Sequence, residues 1–165
     1  MKPVEYSFNA WNFSEFWREG GHILIRANLF ASPQSFMKIP FILDTGAYIS
    51  VLRRARALQA GIELTGIYSA NLTGFNRERG FDKAEIVSVP KVEIGKFSVE
   101  DVRILVPLED IEIPEVIGEN ILEYFIYAVD HDRDRIYFAK NPNPKPYIAP
   151  EKGIDLSCGR VLAQE

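Results

Sequence analysis

Apolar and polar positions alternate along residues 22–30, where Ile23 and Ile25 fall on the same side of the chain. A period of two residues is typical of a strand with one face in a core, so it predicts a strand here. A turn containing Pro33 follows, and residues 37–43 form a second apolar segment. The two segments therefore predict a β-hairpin.

Two short helices are predicted between the strands. The Ser50 hydroxyl is suited to capping a helix over residues 51–60, and Gly61 is placed to end that helix. A second short helix is predicted from Glu119 to about Phe125.

The other apolar segments predict further strands. Residues 66–89 contain two strand-like arms around the polar, glycine-flanked segment 74–80, which predicts a projecting hairpin. Two more strands are expected at 91–94 and 99–106, and a last hairpin is expected to turn at 131–134. The expected fold class is therefore all-β, β-rich with two short helices.

The chain has 165 residues, which fits one compact domain. We expect that domain to span residues 22–140. Residues 1–21 are interpreted as an N-terminal extension whose aromatic side chains pack over the domain or its partner. Four prolines within a short stretch mark 141–165 as a Pro-rich linker and C-terminal extension. Two roles stay open for the end of this extension, an added strand or a contact with a partner subunit.

The formal net charge of −4 gives no basic surplus for nucleic acid or an anionic membrane, so neither is expected as a partner. No apolar run approaches the roughly 20 residues of a membrane helix. The single cysteine, Cys158, excludes an internal disulfide and is consistent with a reducing compartment, so the protein is expected to be cytoplasmic. The basic face at Arg53, Arg54 and Arg56 is expected to be solvated or to contact acidic groups.

Candidate chemistry lies at Asp44, a carboxylate at the end of the apolar segment 37–43. A buried, unpaired charge there would lower the stability of the fold by about 3–5 kcal/mol. Hydrogen bonds or a shared proton are needed to offset this loss. One interpretation is a simple turn, in which Asp44 accepts hydrogen bonds from nearby backbone and Gly46 supplies a permissive backbone. The other interpretation is a catalytic carboxylate.

A family resemblance separates these interpretations. Residues 43–47, Leu-Asp-Thr-Gly-Ala, resemble the active-site loop of retroviral-type (retropepsin-like) aspartic peptidases, including single-domain bacterial and retrotransposon members. Residues 116–122, Val-Ile-Gly-Glu-Asn-Ile-Leu, are similar to the second motif of the same family, in which two apolar residues and a glycine pass behind that loop. The resemblance extends over roughly residues 22–140. It implies the acid protease fold, a closed β-barrel with one lobe in each chain.

The resemblance also implies a function. Because the chain carries one Asp-Thr-Gly, the resemblance implies a two-fold homodimer in which each protomer supplies one Asp44. The implied activity is that of an aspartic endopeptidase that cleaves polypeptides and needs no cofactor or metal. The alternative is a catalytically silent module of this fold that dimerises or binds peptides. The site positions that the resemblance implies are the catalytic Asp44, the loop residues Thr45, Gly46 and Ala47, the second-motif residues Val116, Ile117, Gly118 and Asn120, and the flap residues Gly74, Phe75 and Asn76 within a flap at about 67–87.

Two departures from the family pattern bear on the loop and the flap. Retroviral enzymes usually pair an arginine after the second-motif glycine with an aspartate after Asp-Thr-Gly-Ala, whereas this chain has Glu119 and Tyr48 at those positions. That ion pair is therefore not expected. The segment 74–80 is also more polar and charged than a retroviral flap tip, which favours a different substrate preference.

Two metal-site signals fail on spacing. The alternating acids in 130–134 resemble the start of a calcium loop, but Arg135 stands where the turn glycine belongs, so a solvated hairpin tip is expected. His22, His131 and Cys158 are too far apart in the chain to indicate a zinc site.

Overall fold

A computed structural model describes residues 12–73, 81–145 and the backbone of 161–163. Within these ranges the chain forms eleven strands and two short helices. In chain order they are β1 Phe13–Glu19, β2 His22–Ser32, β3 Ser35–Leu43, β4 Ser50–Val51, α1 Arg54–Gln59, β5 Ala70–Thr73, β6 Phe81–Ile94, β7 Phe97–Pro107, β8 Val116–Ile117, α2 Glu119–Leu122, β9 Phe125–Asp130, β10 Arg135–Lys140 and β11 Val161–Ala163.

Six strands close into a barrel. The sheet runs in the order β6, β7, β4, β8, β3 and β2, and β2 then pairs back onto β6 through Asn28↔Glu93 and Leu29↔Val92. Closure removes the unpaired edges that an open sheet of this length presents. The expected all-β, retropepsin-like barrel is confirmed.

Two of the three predicted hairpins are described in full. Strands β2 and β3 pair in antiparallel register from Leu24↔Ile42 to Phe30↔Phe36, and β9 and β10 pair around a turn at 131–134. In that turn Asp130 accepts hydrogen bonds from the backbone of Asp132 and Arg133. These hydrogen bonds explain the position of Asp130 at the start of the turn.

The prediction of a helix at 51–60 is wrong about where the helix begins. Ser50 and Val51 form β4, which runs parallel to β7 through Ser50↔Ile104, and α1 begins only at Arg54. Ser50 is therefore not the cap of this helix, because its backbone belongs to the barrel. The predicted end is correct, since Gly61 follows the last turn with φ +84 and donates to the Leu58 carbonyl.

Two other expected boundaries also shift. Helix α2 ends at Leu122 and not near Phe125, because Phe125 begins β9 and packs in the core. Strand β6 is continuous over the predicted flap arm and the strand expected at 91–94. The first arm of the predicted flap is strand from Ala70 onward, and the predicted flap residues Gly74, Phe75 and Asn76 lie outside the described residues.

The chain termini contribute strands to the same sheet. Strand β1 pairs with β2 and with β10, and Phe16 on β1 is buried in the main core. Strand β11 pairs with β7 in the register Val161↔Val99 to Ala163↔Phe97. The division into a domain at 22–140 with extensions at 1–21 and 141–165 stays a prediction, although parts of both extensions add strands to the domain.

The barrel encloses a main apolar core, and a smaller cluster lies next to the Asp44 loop. Buried members of the smaller cluster include Val51, Leu105 and Val116, and the partly buried Ala47 and Ile49 pack against it. This packing gives the loop after β3 an apolar base. Neither described helix has the length and apolar character needed to cross a bilayer.

Candidate active site

Strand β3 ends at Leu43 and presents Asp44 on a tight turn. The Asp44 amide donates to the Ile117 carbonyl at 3.1 Å, and the Ala47 amide donates to the Asp44 carbonyl at 3.3 Å. The Gly46 amide donates to Asp44 Oδ1 at 2.8 Å. A carboxylate oriented by a backbone amide of its own turn is held in one position before any ligand arrives.

The second motif lies directly behind this turn. Strand β8 runs parallel to β3 in the register Ile42↔Val116 and Leu43↔Ile117, so both apolar residues of the motif lie beside the strand that leads to Asp44. Val116 and Ile117 are buried. The structure therefore brings together two motifs, residues 43–47 and 116–122, that are far apart in the sequence.

Gly118 marks the closest approach between the two motifs. A Cβ atom at this position would lie 2.6 Å from the Ala47 carbonyl oxygen and 2.8 Å from the Ile49 carbonyl carbon. No side chain fits at such distances, because real Cβ atoms essentially never approach other heavy atoms within 3.0 Å. The next amide, that of Glu119, donates to the Ala47 carbonyl at 2.8 Å and fastens the crossing.

A buried network of Ser50 and Asn120 braces the loop from inside. Asn120 Oδ1 accepts hydrogen bonds from the Ser50 amide at 2.8 Å and the Ser50 hydroxyl at 2.9 Å, and Asn120 Nδ2 donates to the Arg103 carbonyl at 2.8 Å. The Ser50 hydroxyl oxygen accepts from the Gly118 amide at 3.1 Å. Both side chains are 1% exposed, so these bonds satisfy groups that water cannot reach.

Sequence reasoning found Asn120 but missed the role of Ser50. The signal available was a small hydroxyl residue followed by two apolar residues shortly after Asp-Thr-Gly. That pattern also fits a helix cap, and only the barrel pairing of β4 separates the two interpretations.

Three ion pairs on α1 and the residue before it connect the chain after β4 to neighbouring segments. Arg53 pairs with Glu112 at 3.4 Å, Arg54 with Glu85 at 3.3 Å and Arg56 with Glu115 at 3.3 Å. The expectation that these arginines contact acidic groups is confirmed. Two of the pairs reach the segment that leads into β8, so they join the regions after the first motif and before the second.

Glu119 and Tyr48 occupy the positions of the family ion pair, and their surroundings differ from it. Burial and the nearby charge of Glu123 raise the pKa of Glu119 above its ordinary value. Tyr48 has an exposed side chain, at 65%, while its carbonyl accepts the Asn120 amide at 3.1 Å. Backbone bonds and the Ser50–Asn120 network therefore hold the loop in place of an ion pair.

The outer surface of the Asp44 turn faces solvent in the single chain. Thr45 and Gly46 are exposed, and Asp44 and Ala47 are half-buried. Within the described ranges, no group of three or more histidine, cysteine or acidic side chains is placed to hold a metal ion.

A half-buried carboxylate on a turn between two barrel strands, with an apolar pair and a glycine threaded behind it, defines the retropepsin-like class of acid proteases. The family described as aspartyl protease matches residues 37–121, slightly more than half of the 165-residue chain. The chain belongs to this aspartyl protease family and has its retropepsin-like form.

A solved structure supports the same placement. The chain is similar to a retropepsin-like aspartic protease from Rickettsia conorii, with 28% sequence identity and a TM-score of 0.56. The similarity covers 76% of this chain and 87% of that chain. No curated relative matches the chain.

Proposed function

We propose that this chain is an aspartic endopeptidase that works as a two-fold symmetric homodimer, with Asp44 of each protomer forming the catalytic pair. The observation that carries the proposal is the Asp44 turn, because its carboxylate is oriented by Gly46 at 2.8 Å while the surface at Thr45 and Gly46 stays exposed. A turn that served only to reverse the chain would not need a second motif threaded behind it.

The reaction follows from the juxtaposition of two equal carboxyl groups. Two carboxylates a few ångströms apart do not both ionise readily, so in aspartic proteases they share one proton. The ionised Asp44 takes a proton from water as the water attacks the scissile carbonyl carbon. The protonated Asp44 donates a hydrogen bond and then its proton to the carbonyl oxygen, which gives a tetrahedral intermediate. As the C–N bond breaks, the first carboxyl passes the proton that it took from water to the amine, and the second recovers its proton from a hydroxyl of the intermediate.

Polypeptides are the proposed substrates because of the hairpin formed by β5 and β6. This hairpin pairs through Ala70↔Ala84 and Leu72↔Asp82, and it is the described part of the proposed flap. An extended peptide can add to such strands by backbone hydrogen bonds while its side chains enter alternating pockets. The lone cysteine, Cys158, supports a cytoplasmic location as part of the same proposal.

The test of the catalytic role compares wild type with Asp44→Asn, which keeps the size of the side chain and removes its charge. Wild type is expected to cleave a mixed peptide library at mildly acidic to neutral pH, and Asp44→Asn is expected to be slower by at least about 10²-fold. Asp132→Asn is the matched control, because this aspartate lies on the exposed hairpin tip. Equal cleavage by wild type and Asp44→Asn would eliminate Asp44 as the catalyst, and no cleavage by wild type would favour the silent peptide-binding module.

Mixing wild type with Asp44→Asn tests whether the two protomers of a dimer share one active site. If each dimer needs both carboxyl groups, equal amounts of wild type and Asp44→Asn should exchange until only about one quarter of the dimers are wild type. The activity per wild-type chain then falls to about half, since half of the wild-type chains sit in mixed dimers. Sedimentation should give a species of twice the 18.8 kDa chain mass. Activity that stays proportional to wild-type chain, or a monomer at high concentration, contradicts the shared site.

A further inference from the structure

A buried carboxylate ties together the chain at the base of the proposed flap. Glu85 on β6 is 2% exposed, and its oxygens accept hydrogen bonds from the Thr65 amide at 2.8 Å, the Thr65 hydroxyl at 2.7 Å and the Gly66 amide at 3.1 Å. Arg54 adds an ion pair at 3.3 Å. A charge in such a place is retained only when several donors compensate for its lost hydration.

Glu85 occupies the point at which the hairpin separates from the barrel. The preceding residue, Ala84, pairs with Ala70 of β5 on one side and with Pro107 of β7 on the other, whereas Glu85 pairs with Val106 of β7. Thr65 and Gly66 lie shortly before β5. The carboxylate therefore joins the segment that enters the hairpin to the strand that leaves it.

Two further bonds fix the same segment to β6. The Ser69 amide donates to the Ala84 carbonyl at 3.0 Å, and the Ile86 amide donates to the Ser69 hydroxyl at 2.9 Å. Between these anchors the side chain of Ile67 is 68% exposed. The backbone of the segment is thus held at both ends, although its side chains do not pack in the core.

Arg54 connects this anchor to helix α1. It lies on α1, and the flanking Arg53 and Arg56 pair with Glu112 and Glu115, just before β8 of the second motif. Arg54 also donates to the Pro107 carbonyl at 3.4 Å. A single short helix therefore has ionic contacts with the base of the hairpin and with the segment beside the catalytic loop.

We propose that Glu85, held by Arg54, is a positioning residue that sets the flap arms relative to the Asp44 loop and so sets the affinity for a peptide substrate. The inference rests on the proposed function for its effect on catalysis. Its structural part, the fixing of residues 65–72, does not. The hydrogen bonds of Glu85 go to Thr65, Gly66 and Arg54 and not to Asp44, which is why substrate binding is the step it should control.

The test compares Glu85→Gln with Glu93→Gln. The control lies on the same strand, has its own ion pair with Lys91 at 2.9 Å and stands eight residues farther along β6, roughly 26 Å away. Loss of the charge-assisted bonds in Glu85→Gln is expected to raise KM about tenfold and to change kcat less than about twofold. Amide hydrogen exchange of residues 65–72 is expected to be about tenfold faster in this variant, with the barrel core unchanged. Glu93→Gln should alter neither quantity.

A second variant covers the case in which Glu85→Gln does not fold. Thr65→Val removes the hydroxyl bond at 2.7 Å but leaves the Thr65 amide and the Arg54 ion pair. It should shift KM and exchange in the same direction by a smaller factor. Unchanged exchange at 65–72, or a fall in kcat with KM constant, overturns the positioning role. If wild type cleaves no peptide, the proposed function fails, and the exchange comparison still decides whether Glu85 fixes the arms.

Discussion

Replacing Gly118 by alanine tests whether the second motif must touch the Asp44 loop backbone to backbone. The backbone at Gly118 has φ −102, a value that any residue adopts, so alanine brings no conformational strain there. The added methyl group would meet backbone atoms of Ala47 and Ile49 at 2.6 to 2.9 Å. These backbone atoms cannot move away by a rotamer change, as the end of a flexible side chain can.

The loss of stability in Gly118→Ala follows from the distance by which β8 and the loop must move apart. Ordinary contact begins near 3.4 Å, so β8 and the loop must separate by about 0.8 Å. Such a shift weakens the bonds from the Glu119 amide to Ala47 at 2.8 Å and from the Gly118 amide to Ser50 at 3.1 Å. Overpacking costs about 1–3 kcal/mol and each weakened bond about 0.5–1.5 kcal/mol, so we expect a loss of about 3 kcal/mol in the free energy of unfolding.

Urea unfolding at one fixed protein concentration measures that loss, and peptide cleavage reports the displacement of Asp44. Gly61→Ala is the matched control, because Gly61 has open space around it but φ +84, so its cost of about 1–2 kcal/mol is strain without contact. Cleavage should fall sharply in Gly118→Ala and stay near wild type in Gly61→Ala. If Gly118→Ala costs no more than the control and retains activity, the close crossing does not position the loop.

Two further predictions concern the buried polar groups. Ser50→Ala leaves the Gly118 amide without its acceptor and should lower the free energy of unfolding by about 1–3 kcal/mol in a urea titration, so a change below about 0.5 kcal/mol would show that the network is dispensable. Burial alone would raise the pKa of Glu85, but its hydrogen bonds from Thr65, Gly66 and Arg54 hold that pKa below the ordinary value of 4.5. The stability that Glu85 adds is therefore complete above pH 4.5 and is lost as the pH falls through the lower folded-state pKa. The stability difference between wild type and Glu85→Gln should be constant from about pH 7 to pH 5 and shrink below 4.5, and shrinkage above about pH 5 would contradict this assignment.

The features that could be predicted from the sequence are those with local signals. Alternation of apolar residues and a polar turn sufficed for the β2–β3 and β9–β10 hairpins, since both partners lie close together in the chain. The two motifs were found as short patterns, and the structure confirms that they lie side by side. The roles of Asp44 and its neighbours in catalysis stay predictions.

The features that sequence reasoning missed depend on distant partners. Ser50 has the local character of a helix cap, but its hydrogen-bond partner Asn120 lies 70 residues away. Glu85 reads as one more charge on a strand, because its donors Thr65 and Arg54 lie 20 and 31 residues earlier. The local sequence preference of a residue carries no information about such distant partners. Where the two disagree, the contact in the folded barrel decides the structure.

The Asp44 loop and the arms of the proposed flap are held by different kinds of bond, so acid should act on them differently. Behind the Asp44 loop, Ser50, Asn120 and backbone amides form an inner network of neutral hydrogen bonds, which do not titrate between acidic and neutral pH. The arms depend on Glu85, a carboxylate that must stay ionised to accept its donors. Acidification below the folded-state pKa of Glu85 should therefore loosen the arms while the Ser50–Asn120 network behind the loop stays intact. Substrate binding would then weaken only at a pH below the range in which an ordinary glutamate titrates. The reason is that the hydrogen bonds that anchor the arms also lower the pKa of Glu85.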